Sequence, residues 1–256
     1  MKKGIIVVSF GTTYEETRKL CIESIENKIR EEYRDYLVLR AFTSQMVINK
    51  LKKRDNYRVD NPKEALEKIK EENIKEIYIQ PLHVIPGHEY EKLLGQIEDF
   101  LEENPSFSIK TGKPLLYEDL DYEKVVDGLN LSDKEEGIVF MGHGTDHESD
   151  IAYKKLEKTF RDKSYENVFI GTVEGETTIK DIIPNLKSQS IKNINLRPFM
   201  LVAGDHAIND MASEEEDSWE SILKSNGFSV KSYIKGLGEI EAIQNIYLEH
   251  LEKIID

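Results

Sequence analysis

Two histidines and one glutamate lie in short glycine-containing segments of this sequence, where their side chains could bind a metal ion. The segments are MGHGT around His143, GTVEGE around Glu174 and VAGDHA around His206. Two imidazoles and one carboxylate form a mixed nitrogen and oxygen donor set, which suits Co²⁺, Fe²⁺, Ni²⁺ or Zn²⁺ rather than Mg²⁺ or Ca²⁺. Three protein ligands leave coordination positions open, as a site that receives or releases a metal requires. Taken singly, each residue could instead be a hydrogen-bonded turn histidine or a solvated loop carboxylate.

Two pairs of segments match between the halves of the chain, and their differences fall on residues of this kind. Residues 4–13 (GIIVVSFGTT) match residues 137–146 (GIVFMGHGTD), and residues 74–89 (IKEIYIQPLHVIPGHE) match residues 191–206 (IKNINLRPFMLVAGDH). Phe10 of the first pair becomes His143, and Glu89 of the second pair becomes His206. Such exchanges in a duplicated scaffold predict two half-sites that face each other and bind a divalent metal between two lobes.

Short apolar segments alternate with amphipathic helical segments along both halves. A run such as Ile5–Phe10, apolar except for Ser9, is typical of a strand with both faces covered, as in parallel sheets. The alternation predicts an α/β protein with two similar doubly wound domains, residues 1–125 and 126–256, each with a four-stranded parallel sheet. Ligands of such sheets bind beyond the carboxyl ends of the strands. All three candidate ligands lie at or just past predicted strand ends.

Sequence signals predict where two helices begin, and the positions of two further histidines predict whether they pack inside the protein or lie at its surface. The T-x-x-E pattern of Thr13–Glu16 predicts a capping box that begins the first helix. A later helix is predicted over Glu214–Asn226, because the acidic residues at its start suit the positive end of a helix dipole. His83 aligns with Met200 in the repeat and is interpreted as a packing residue at a strand end. His250 is assigned to the surface of the C-terminal helix.

Composition excludes several classes of partner. The chain has 256 residues, a formal net charge of −14 and one cysteine, Cys21. The acidity argues against nucleic acids, which need clustered Lys and Arg, and against anionic membrane surfaces. No segment approaches the roughly 20 apolar residues that span a bilayer, and the lone cysteine suits a reducing compartment, so a cytoplasmic protein is expected. The turns at Gly11 and Gly144 match no nucleotide-binding pattern, and no organic cofactor is expected.

Seven phrases of the sequence, taken together, resemble the class II chelatases, specifically the anaerobic sirohydrochlorin cobalt chelatases of the CbiK type. The phrases are VVSFGTTYEETR, RAFTSQMVINKL, QPLHVIPGHEY, FMGHGTDH, VFIGTVEG, FMLVAGDHAINDMA and EDSW, and they run from Val7 to Trp219. The resemblance implies a bilobal α/β fold related to protoporphyrin ferrochelatase, with the tetrapyrrole sirohydrochlorin held between the lobes. It also implies that Co²⁺ is a substrate, that insertion releases two protons, and that the reaction belongs to oxygen-independent cobalamin synthesis.

The same resemblance assigns roles to individual residues. His143, Glu174 and His206 would coordinate the incoming metal, and His143 would also accept a proton, which suits a side chain whose ordinary pKa lies near neutrality. Glu89 would lie near the macrocycle and help to guide metal or protons. The residues assigned to substrate binding are Ser9, Phe10, His88 and Glu89.

Other functions stay open at this point. The donor set does not choose among Co²⁺, Fe²⁺ and Ni²⁺. Affinity follows the Irving–Williams trend, and the availability of each metal in the cell decides which ion is bound. Insertion of iron or nickel into sirohydrochlorin is therefore one alternative. A non-catalytic protein that binds a metal or a tetrapyrrole is another. A homo-oligomer is compatible with each of these functions.

Overall fold

The computed structural model describes residues 2–131 and 136–256, and its framework is a pair of four-stranded parallel β-sheets. The strand order is β2-β1-β3-β4 in the first sheet and β6-β5-β7-β8 in the second. The strands are β1 (Lys3–Ser9), β2 (Tyr36–Phe42), β3 (Glu76–Pro81), β4 (Ser108–Thr111), β5 (Gly137–Gly142), β6 (Val168–Thr172), β7 (Asn193–Pro198) and β8 (Ser229–Ser232). The predicted α/β class with two similar doubly wound sheets is confirmed.

Helices cover both faces of each sheet, which explains the long apolar runs in β1 and β5. Ile5, Ile6 and Val8 of β1 are fully buried, as are Ile138 and Val139 of β5. The helices are α1 (Glu15–Arg18), α2 (Ser24–Glu32), α3 (Gln45–Asp55), α4 (Pro62–Glu71), α5 (His88–Glu103), α6 (Asp119–Leu129), α7 (Ile151–Asp162), α8 (Ile179–Ser188), α9 (Trp219–Ser225) and α10 (Glu241–Ile255). None of the helices in the described ranges is long and apolar enough to span a bilayer.

Short π-helical and 3₁₀ segments interrupt this pattern. The π-helical segments are Lys19–Glu23, which joins α1 to α2, and Ala207–Met211, and the 3₁₀ segments are Glu148–Asp150 and Leu237–Glu239. The second π-helical segment directly follows His206. Because π-helical turns occur frequently at functional sites, this segment supports His206 as a candidate functional residue.

Two of the predicted helix starts were wrong. The first helix begins at Glu15, so Thr13 does not cap it. The helix α9 begins at Trp219, where the Ser218 hydroxyl accepts a hydrogen bond from the backbone N–H of Ser221 at 3.2 Å. The serine cap therefore decides the boundary, and the acidic run Glu214–Asp217 lies in the turns before the helix.

The chain forms two compact units, and their limits differ from the predicted division at residue 125. The first unit consists of Met1–Tyr117 and Ile243–Asp256, and the second of Glu118–Ala242. The C-terminal helix α10 belongs to the first unit, because its Tyr247 hydroxyl donates hydrogen bonds to the carbonyls of Leu82 and His83 at 3.2 and 3.3 Å.

Ion pairs place the helix α6 in the second unit, although the predicted division at residue 125 falls inside this helix. Lys155 of α7 pairs with Asp119 at 2.5 Å, and Lys163 pairs with Asp127 at 2.7 Å. The helix therefore packs with the residues that follow it in the sequence.

Candidate metal site

His143 directly follows β5, in a loop that glycines shape. Its Nδ1 atom lies 2.9 Å from the carbonyl oxygen of Gly144, and its side chain is 47% exposed. Gly144 has a positive φ of 78°, a conformation that side chains with a Cβ rarely adopt. A Cβ at this position would lie 2.3 Å from the backbone nitrogen of Gly175. Glycine is therefore required both by the backbone angle and by the close approach of the Gly175 loop.

We expect Gly144→Ala to lower the free energy of unfolding by more than the about 1–3 kcal/mol that a strained backbone angle costs alone. The excess arises because the loop holding Gly175 must move away. The control is Gly227→Ala, which has a φ of 92° but no described atom within 4 Å of the added Cβ. Urea unfolding followed by circular dichroism measures both losses. Equal losses in the two variants would contradict a structural role for the loop contact.

Glu174 lies in the loop that follows β6, next to His143. Its backbone N–H donates to the carbonyl of His143 at 2.8 Å. Its Oε2 atom lies 3.8 Å from His143 Nδ1, and its side chain is 60% exposed. The parallel pairing of β5 with β6 puts both loops at the same edge of the sheet. The carboxylate therefore lies beside the His143 ring, on its Nδ1 side.

A carboxylate from outside these loops joins them. Asp150 accepts a hydrogen bond from the backbone N–H of Thr145 at 3.1 Å with one oxygen. Its other oxygen accepts from the backbone N–H of Glu176 at 3.0 Å. One side chain thus fixes the loop of His143 against the loop of Glu174, and sequence analysis missed it. A residue that bridges two backbone groups across 26 positions leaves no local signal in the sequence.

His206 completes the cluster from the loop after β7. Its ring centroid lies 4.7 Å from that of His143, and the two ring planes are nearly perpendicular at 89°. Its Nδ1 atom lies 2.5 Å from Oδ2 of Asp210, and its side chain is 33% exposed. Asp210 lies within the π-helical segment, four residues after His206. The His-x-x-x-Asp spacing is the one sequence signal that could have identified Asp210, because such pairs lie on the same helix face.

The hydrogen bonds define which ring nitrogens are free. A carbonyl or an ionised carboxylate can only accept, so Nδ1 must carry the proton both in His143 and in His206. In the neutral form of each ring, the Nε2 atom then has the lone pair that can bind a metal. A histidine that binds a metal usually donates its other N–H to a carbonyl or carboxylate in this way. His143 thus lies next to both other predicted ligands, the His206 ring and the Glu174 carboxylate, and all three side chains are partly exposed.

The four residues predicted to bind substrate lie in the first unit, at the carboxyl end of its sheet. Ser9 ends β1 and is buried, whereas Phe10 is 46% exposed. His88 is the first residue of α5 and is exposed. Glu89 follows it and lies 3.7 Å from Lys92 Nζ through its Oε2 atom.

A family model for cobalt chelatases of the CbiK type matches residues 3–256. The chain belongs to the cobalt chelatase (CbiK) family. Two relatives match almost end to end. The sirohydrochlorin cobaltochelatase of Salmonella typhimurium is 36% identical over 100% of this chain and 97% of that protein. The sirohydrochlorin cobaltochelatase CbiKC of Nitratidesulfovibrio vulgaris is 31% identical over 98% of this chain and 89% of that protein.

Solved structures support the same fold for this family member. SirB from Bacillus subtilis with Fe³⁺ has a TM-score of 0.70 and 14% identity, over 99% of this chain and 96% of that one. The sirohydrochlorin chelatase SirB from Bacillus subtilis subspecies spizizenii, in complex with cobalt, has a TM-score of 0.66 and 14% identity, over 99% and 95% of the chains. At this level of identity, the likeness concerns the fold alone.

Proposed function

We propose that this protein is a cytoplasmic sirohydrochlorin cobaltochelatase, which inserts Co²⁺ into sirohydrochlorin and releases two protons in the anaerobic route to cobalamin. The observation that carries the proposal is the cluster of His143, Glu174 and His206, with 4.7 Å between the imidazole centroids and 3.8 Å from imidazole to carboxylate. Membership of the cobalt chelatase family and the names of two nearly full-length relatives support it.

The cluster suits the capture of a hydrated metal ion. Two Nε2 lone pairs and the Glu174 carboxylate can replace part of the water shell of Co²⁺. All three side chains are one-third to three-fifths exposed, so a metal can reach them from solvent. A site with only three protein ligands keeps coordination positions open, which a metal needs in order to leave for the macrocycle.

The hydrogen bond of Nδ1 limits the neutral imidazole of His143 to one role at a time. Its Nδ1–H is donated to the Gly144 carbonyl, so Nε2 carries the only free lone pair of the ring. The same atom cannot bind Co²⁺ and a proton at once. His143 can therefore accept a pyrrole proton only after the metal has moved to the macrocycle. In this scheme, Ser9, Phe10, His88 and Glu89 contribute to binding of the tetrapyrrole.

A multiple-turnover assay tests the proposal. Purified protein, excess sirohydrochlorin and excess Co²⁺ are mixed under anaerobic conditions, and insertion is followed by the absorbance change of the macrocycle. We expect product to accumulate well beyond one equivalent of protein, whereas a binding protein would give at most one stoichiometric event. Parallel assays with Fe²⁺ and Ni²⁺ compare the metals directly. Higher kcat/KM with either of these ions would contradict the assignment to cobalt.

A further inference from the structure

The helix α3 is rich in positive charge, although the chain is acidic overall. Its eleven residues, Gln45–Asp55, include one carboxylate, Asp55, and four cations, which are Lys50, Lys52, Lys53 and Arg54. Asp55 pairs with Arg54 at 2.7 Å. The three lysines are exposed and form no ion pair within residues 2–131 and 136–256. In a chain with a formal net charge of −14, this helix therefore presents a local surface that attracts anions.

Two of these lysines lack the neighbours that usually neutralise a helix cation. In α7, for example, Lys158 pairs with Asp162, four residues later, at 2.6 Å. Lys50 and Lys53 have no carboxylate three or four residues away in either direction. They lie three residues from each other instead, and like charges so close on a helix are unfavourable. A bound anion would relieve this repulsion.

An exposed methionine lies on the same side of α3 as these two lysines. A helix turns about 100° per residue, so Met46, Lys50 and Lys53 share one side, whereas Lys52 lies about 120° away from Met46. The side chain of Met46 is 72% exposed. The opposite side of the helix is buried through Val47, Ile48 and Leu51. The outer side of α3 therefore places an apolar group next to two cations, all of them accessible to a ligand.

The start of α3 lies at the carboxyl end of the first sheet, beside Phe10. Ser44 caps the helix, because its side chain accepts from the N–H of Val47 at 3.3 Å. The backbone N–H of Ser44 donates to the carbonyl of Phe10 at 3.3 Å. Phe10 is 46% exposed, so two exposed apolar residues, Phe10 and Met46, belong to this edge. In parallel sheets this is the edge at which ligands bind.

The chemistry of this surface fits a flat apolar ring that carries carboxylates at its rim. A methionine thioether adapts its shape to the apolar or aromatic surface it contacts. A lysine ammonium binds a carboxylate as a compact point charge on a flexible stem. Sirohydrochlorin combines both features, since its macrocycle carries acidic side chains around the ring. An acidic protein repels such a ligand, so it needs local cations where the ligand binds.

We propose that Met46, Lys50 and Lys53 form a substrate-binding surface, an inference that rests on the proposed function. Met46 contacts the macrocycle of sirohydrochlorin beside Phe10, and Lys50 and Lys53 bind carboxylates of its rim. From Met46, the two lysines lie about 6 and 10 Å further along the helix axis, so they bind different carboxylates. These contacts do not involve the atoms that exchange metal for protons. They therefore contribute to binding and leave the insertion step unchanged.

The test is the double variant Lys50→Gln/Lys53→Gln, in which both side chains stay polar but lose their charge. We expect the dissociation constant for sirohydrochlorin to rise about threefold for each lysine and about tenfold for both. In about 1 M NaCl the difference from wild type should fall below about twofold, because salt screens exposed charges. In turnover assays KM for sirohydrochlorin should rise by the same factor, with kcat within about twofold of wild type, as expected for uniform binding.

Lys52→Gln is the matched control, because it removes the same charge from another side of the same helix. It should change the dissociation constant by less than about 1.5-fold. Met46→Ala should weaken binding about threefold at low and at high salt, and Met46→Leu should restore it, because the contact is apolar.

Two outcomes would overturn the inference while wild-type turnover leaves the proposed function standing. One is unchanged binding by the double variant. The other is an equal loss with Lys52→Gln and with Lys50→Gln, which would reflect the net charge of the protein and not a contact. Failure of the wild-type protein to bind sirohydrochlorin would overturn both the inference and the proposed function.

Discussion

Replacing His143 by alanine is expected to lower the rate of cobalt insertion by at least about 10²-fold, because general-base assistance alone typically contributes ~10²–10⁴-fold. The variant loses a metal ligand and a proton acceptor together, since both roles use the Nε2 lone pair. The measurement is steady-state turnover with saturating sirohydrochlorin and a series of Co²⁺ concentrations. Near-normal kcat/KM for Co²⁺ would contradict the assigned roles.

Two controls separate this effect from damage to the fold. The His143 side chain is 47% exposed, and substitutions at such positions usually change the free energy of unfolding by less than about 0.5 kcal/mol. Thermal unfolding of the variant should therefore match the wild type. Glu176→Gln removes a 74% exposed carboxylate, in the same loop as Glu174, that pairs with Lys154 of α7. We expect this variant to retain turnover within about twofold, because Glu176 is not part of the candidate ligand set.

The second large effect is expected at Asp210, which positions His206. Asp210→Asn keeps the size of the side chain but removes the negative charge that faces Nδ1–H at 2.5 Å. Loss of such a partner typically weakens metal binding by about 10–100-fold. We expect the dissociation constant for Co²⁺, measured by titration calorimetry, to rise by this factor, with unchanged binding of metal-free sirohydrochlorin.

A charge-matched control accompanies this variant. Glu216→Gln removes an exposed carboxylate of the same unit, outside the candidate metal site, and should leave Co²⁺ binding unchanged. A purely structural role for Asp210 would appear as a lower free energy of unfolding without a change in metal affinity. That outcome would refute the positioning role.

Much of the fold could be predicted because local patterns and tertiary packing agree. The apolar segment predicted as a strand, Ile5–Phe10, overlaps β1, Lys3–Ser9, because a central strand with both faces covered consists mainly of apolar residues. The helix start at Thr13 was wrong because a capping pattern is only one of several signals that compete at a helix end. The placement of α10 could not be read from the sequence, since an apolar stripe does not specify its partner.

The buried state of His250 was predictable, although it was assigned to the surface. Ile243, Tyr247 and His250 recur at spacings of four and three residues, and all three are buried. The histidine therefore lies on the apolar stripe of α10. The Nδ1 atom of His250 forms a hydrogen bond with the carbonyl of Lys113. This bond gives the buried nitrogen a partner.

The three candidate ligands of the metal site were predictable from the sequence, but the residue that joins their loops was not. The repeat and the strand ends indicated His143, Glu174 and His206, and these side chains do lie together. Asp150 joins the loops through two backbone N–H groups, and backbone donors have no signature in the sequence. Asp150 could therefore be identified only from the structure, whereas the spacing of Asp210 from His206 is visible in the sequence.

The return of α10 to the first unit has a consequence for synthesis on the ribosome. The second unit, Glu118–Ala242, is complete in sequence before the ribosome reaches Ile243–Asp256, the segment that returns to the first unit. The first unit begins earlier but lacks Tyr247, a fully buried side chain, until the whole second unit has been translated. A chain truncated after Ala242 would therefore lack part of the unit that was made first and no residue of the unit that was made second.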